Sequence, residues 1–139
     1  MMTNPLDRPS ADDPRRLRTL LERAHDLAQQ HKVHSVLVGL AGFEGDHDFP
    51  DLVDYVVSAL RIDDSVLRLT SERAIVLLSD SDASRAGEVM ERLMLDYRER
   101  FPSLTKPAVA LGFFEVLPEQ EEVAVKDVLP RIFRPPVSH

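Results

Sequence analysis

The sequence predicts a domain of the α/β (α+β) class: a βαββαβ sheet with helices packed on one face, preceded by an N-terminal helix. Three observations lead there. Apolar residues recur at helical spacing in three separate stretches. Compact valine-rich runs of strand length lie between them. Two of the short strands are separated only by Thr70 to Arg73, a gap that forces a hairpin and hence antiparallel pairing.

In chain order, residues 1–13 hold Pro5 and Pro9 among polar residues and are read as a disordered arm, ahead of a domain spanning 14–139. Asp12 or Asp13 caps the first helix, with Pro14 at its first position, where a missing N–H costs nothing. Leu17, Leu20, Leu21, Ala24, Leu27 and Ala28 form its apolar face, which runs to about Gln30. Val33 to Gly42 is a central strand. After the turn-like GDHDFP, a second helix starts near Pro50 and carries Leu52, Val53, Val56, Val57 and Leu60. The hairpin strands are Val66 to Leu69 and Ala74 to Leu78. Ser81 or Asp82 caps a third helix, built on Ala86, Val89, Met90, Leu93 and Tyr97 and ended by Pro102. Ala108 to Val116 is the last strand. Val123 to Phe133 adds a short helix before Pro135 and Pro136. Without its first helix this is the split order of ferredoxin-like and polymerase-palm sheets.

Composition narrows the function. An apolar share of 43% and a charged share of 29% are those of an ordinary globular domain. A net charge of -7 argues against nonspecific binding to nucleic acid or to an anionic membrane. Arg15, Arg16 and Arg18 are the exception, and read as the solvated face of a helix. The absence of cysteine removes disulfides, thiolate metal sites and cysteine nucleophiles. The polar start is unlike a signal peptide, and no apolar run approaches the roughly 20 residues of a membrane span, so a cytoplasmic location is expected.

The hairpin carries a family likeness. RLTSERAIVLL, Arg68 to Leu78, resembles the RxGG(D/E)EFxVLL hairpin of the GGDEF (diguanylate cyclase) family through its Arg, its acid Glu72 and the strand that follows. GLAGFE, Gly39 to Glu44, sits where that family has DxDxFK, and Phe43 fits the family's Phe. ALG, Ala110 to Gly112, resembles its downstream SxG. The likeness covers about residues 14–117; each motif is weak alone, and their order and spacing carry it.

The departures imply a degenerate domain and no enzyme activity. A cyclase holds two divalent cations on a triphosphate, and hard cations need carboxylate oxygens. The resemblance implies those acids at the positions of Gly39, Ala41 and Glu72, of which only Glu72 is acidic. Thr70 and Ser71 replace the motif's paired glycines, and Arg73 reverses a charge before Ala74. The linker after the first strand is shorter than the family's and drops the segment whose Asn contacts guanine. No cofactor and no metal are expected.

One family feature persists. An RxxD motif five residues ahead of the hairpin motif binds cyclic di-GMP in many such cyclases, and Arg61 and Asp64 stand in that register. An arginine fork suits phosphate or a guanine edge, and an aspartate accepts guanine N–H groups. The plainer reading is a solvated ion pair at a helix end. Arg23 and Asp26 form the same pattern inside a helix. Two functions follow: a protein-interaction or regulatory scaffold, with a protein partner or as a homodimer, and a cyclic di-GMP receptor using Arg61 and Asp64. A remnant with weak GTP binding is a third.

Other candidates have ordinary explanations. His47 between Asp46 and Asp48 reads as loop, lacking a second histidine at ligand spacing. His25, His31 and His34 offer at most pH sensitivity. Ser71 has no base placed to activate it. Met90 and Met94 read as packing. Phe113 and Phe114 must face opposite sides of their strand, so one packs under the tail or marks an interaction surface.

Overall fold

The computed structural model describes residues 15–42, 49–101, 109–118 and 124–133. The arm at 1–13, the caps at Asp12, Asp13 and Pro14, the Asp46–Asp48 turn with His47, Phe43, Glu44, Pro102, Pro135 and Pro136 lie outside them. The elements are α1 (Arg15–His31), β1 (Ser35–Ala41), α2 (Phe49–Ala59), β2 (Ser65–Thr70), β3 (Arg73–Ser79), α3 (Ala83–Arg100), β4 (Ala110–Val116) and α4 (Val125–Ile132). This is the expected α+β order.

The four strands form one antiparallel sheet in the order β2-β3-β1-β4. β1 is central because its SVLVGLA run is apolar on both sides, and all but its last residue are buried. Alternation along β1 divides the interior in two. Val36, Val38 and Leu40 join α2 and α3 in one core, with Phe49, Leu52, Val56, Met90 and Tyr97. Leu37 joins Leu17, Leu21, Ala24, Ile75, Val116, Val128 and Ile132 in the other. The helices internal to the βαββαβ order therefore share one face, while the two flanking helices, α1 and α4, cover the opposite one.

Local chemistry accounts for the helix ends. Asp82, not Ser81, caps α3, accepting from the Arg85 N–H at 2.8 Å. Arg98 and Arg100 sit in its last turn, where the helix dipole favours cations. Lys32 follows α1 in the left-handed region at φ 56°. On α1 the arginines are exposed as expected, and Arg18 pairs with Glu22 at 3.3 Å one turn on. Val57 departs from the expected stripe of α2 and is 47% exposed, because burial of Leu52, Val53 and Val56 turns it onto the helix flank.

Candidate functional site

The hairpin motif tops the β2–β3 ribbon. Thr70 pairs with Arg73 across a two-residue turn, and the β2 register slips between Arg68 and Thr70. Lys32 and Asp80 are the only non-glycine residues of positive φ among those described, so Ser71 and Glu72 turn without the left-handed backbone that glycine supplies. The bulge at Leu69 adds the twist such a turn needs. Thr70 Oγ1 accepts from the Glu72 N–H at 3.2 Å, and the Glu72 carbonyl accepts from the Gly42 N–H at 2.7 Å. The hairpin tip is thereby tied to the end of β1. Thr70, Ser71 and Arg73 are exposed, Glu72 is half-buried and Ala74 is buried.

Gly39 is the position at which the family likeness implies a metal-binding aspartate. In β1 it lies opposite Gly112 of β4, and α4 crosses both. A Cβ at Gly39 would stand 2.6 Å from the Ile132 carbonyl oxygen and 2.9 Å from Ile132 Cβ; one at Gly112 would come closer still to the same carbonyl. No side chain fits at either place while α4 is docked. Beside this saddle, the Arg73 guanidinium lies 5.4 Å from the centre of the Phe133 ring, which caps α4. Arg131 lies 5.6 Å from Phe114 in the same way. The two glycines and the charge-reversing Arg73 thus all meet one short helix, a relation the sequence reading missed. Phe114 packs under that helix, and Phe113 on the other side of β4 is 37% exposed.

Arg61 and Asp64 sit at the opposite end of the ribbon. The Asp64 side chain is 3% exposed. Its Oδ2 accepts from the Arg61 backbone N–H at 3.1 Å and from Arg61 Nε at 3.4 Å, and its Oδ1 accepts from the Ser79 N–H at 3.0 Å. Arg61 in turn donates to the Ser79 carbonyl at 2.7 Å, yet its side chain is 57% exposed. Ser79 Oγ completes the clasp by donating to the Asp63 carbonyl. The two sequence motifs are therefore kept apart by the length of β2, about 20 Å for six residues. Arg68, the first residue of the hairpin motif, pairs with Asp54 of α2 at 2.5 Å.

Among the described residues no three His, Asp or Glu side chains gather as a metal-ion cluster. No described helix is long and apolar enough to cross a membrane.

No protein-family model and no curated protein matches the chain. Solved structures do. The GGDEF domain of DgcB from Caulobacter crescentus, in complex with c-di-GMP, superposes with a TM-score of 0.64 at 14% identity, over 82% of this chain and 81% of that one. The GGDEF domain of FimX from Pseudomonas aeruginosa gives 0.65 at 13%, over 88% and 89%. PelD 158-CT from Pseudomonas aeruginosa PAO1 gives 0.66 at 18%, over 91% of this chain but only 47% of that one. The fold is that of GGDEF domains.

Proposed function

We propose that this chain is a catalytically inactive GGDEF-like signalling module, a cytoplasmic scaffold whose output is a protein contact, with a partner protein or a second copy. One observation carries the reading: the backbone of Ile132 rests on Gly39 and Gly112. A cyclase needs carboxylates and two hydrated cations at that end of β1. Here the position has no side chain, its space is filled by the chain's own helix, and Arg73 adds positive charge beside it. Incubation with GTP and magnesium or manganese should yield no cyclic dinucleotide by chromatography. Gly39→Asp should yield none either, and should lower the melting temperature because α4 is displaced. Turnover by the wild-type protein would overturn the reading.

Cyclic di-GMP binding through Arg61 and Asp64 is the second reading, supported by the half-exposed Arg61 guanidinium and by the ligand present in the DgcB structure. Against it, both Asp64 oxygens already accept from the chain's own N–H groups. Calorimetric titration of cyclic di-GMP separates the two. No heat leaves the scaffold, whereas heat that is lost in Arg61→Ala makes the chain a receptor.

A further inference from the structure

The sheet has two edges, and they are finished differently. An edge strand presents unpaired N–H and C=O groups to any strand that comes beside it, and native proteins blunt such edges with charges or bulges. β2 is blunted: its register slips between Arg68 and Thr70, and Arg68 carries a charge held by Asp54 of α2. β4 is not. Residues 109–114, VALGFF, hold no charge, and β4 pairs with β1 along its whole length without a slip. Among the described residues no strand pairs with its outer side. α4 lies across β1 and β4 together, the Ile132 carbonyl close over both Gly39 and Gly112, and does not run along the outer edge. On the other face the helices stop one strand short. Val38 and Leu40 of β1 are fully buried, whereas Phe113 and Leu111, their neighbours across the pair, are each 37% exposed.

We propose that β4 pairs antiparallel with β4 of a second copy, about a two-fold axis through Gly112, joining two four-stranded sheets into one. This names the partner and the surface for the protein contact proposed above, and rests on that part of the reading alone. The occupant follows from the strand itself. A closed dimer needs a surface complementary to itself. In this register Leu111 meets the partner's Phe113 on one face, and the small Ala110 meets the partner's Phe114 on the other. Strand alternation puts both copies of Leu111 and Phe113 on the α2–α3 side, so the exposed apolar side chains of the two edges bury one another. No like charges face across the axis. Glu115 falls against the partner's Val109, and its carboxylate is already engaged by the Ala83 N–H at 2.8 Å.

Sedimentation equilibrium on the full chain tests the pairing. The wild type should approach twice the 15.7 kDa chain mass at high concentration and dissociate on dilution. Leu111→Lys and Phe113→Glu should each weaken association at least about tenfold with circular dichroism unchanged, since the axis makes every substitution act twice. The double variant, Leu111→Lys with Phe113→Glu, sets opposite charges across the axis and should associate more tightly than either single variant. Val57→Lys, on the exposed flank of α2, should leave association as it was. A wild-type chain that stays monomeric at millimolar concentration, a dimer indifferent to both single variants, or a double variant no tighter than the singles would each overturn the proposal. A monomer that makes no cyclic dinucleotide from GTP sinks this pairing and leaves the inactive module standing, whereas turnover by a dimer sinks the inactivity and not the pairing.

Discussion

Asp64 illustrates how a residue conspicuous in the sequence can be occupied with the fold itself. Its carboxylate bridges the end of α2 to the end of β3 by accepting two backbone N–H groups, one of them 15 residues away. Removing the acceptor leaves the part-buried Ser79 N–H without its partner, while the exposed Arg61 N–H turns to water, at a cost of about 1 kcal/mol. Asp64→Ala should therefore lower the urea midpoint by about that much stability, and Asp64→Asn by less, since one oxygen remains. The Arg61–Asp64 pair was singled out by the family resemblance, through its register with the hairpin motif. Ser79 as the third member was not, because no local pattern reports on a partner in a neighbouring strand. Lys32 is the opposite case, a residue that contributes strain. A non-glycine residue in the left-handed region costs about 1 kcal/mol or more, so Lys32→Gly, closing α1 with a residue suited to φ 56°, should raise the melting temperature.

At the level of elements, two glycines predict opposite outcomes. Gly87 lies within α3, and a Cβ added there meets no atom within 4 Å. Gly87→Ala should stabilise the protein by about 0.5–1 kcal/mol through helix propensity alone. Gly112→Ala drives a methyl into the backbone of α4 and should destabilise by about 1–3 kcal/mol, the usual range for overpacking. Thermal melts of the two variants side by side check both. The helices, the hairpin and the central strand were readable from periodicity and turn spacing, since each rests on local chemistry. The seat of α4 was not. Gly39 reads in sequence as a missing acid, and only its register against Gly112 makes it a place where a helix lies close to the sheet.

For the whole molecule, β1 couples the two cores. Leu37 points to one and Val38 to the other, and both are fully buried. Leu37→Ala should cost about 2–5 kcal/mol, and Val38→Ala should shift the same single unfolding transition. Two separate transitions in denaturant would mean that the halves are energetically distinct. Composition correctly indicated a globular domain, and the order of the periodic segments its α+β class. The expectation of helices on one face holds for α2 and α3, whereas α1 and α4 cover the other, because the face a flanking helix serves depends on how its segment returns to the sheet.

The glycine saddle also constrains what the chain can become. An acid could enter position 39 only after α4 had moved away, yet the apolar seat beneath α4 disfavours leaving it uncovered. Each change alone is a loss, so an acid at position 39 and a displaced α4 are reached only through a less stable intermediate. The contact thus ties the residue tolerated inside β1 to the seating of a helix more than ninety residues further along the chain.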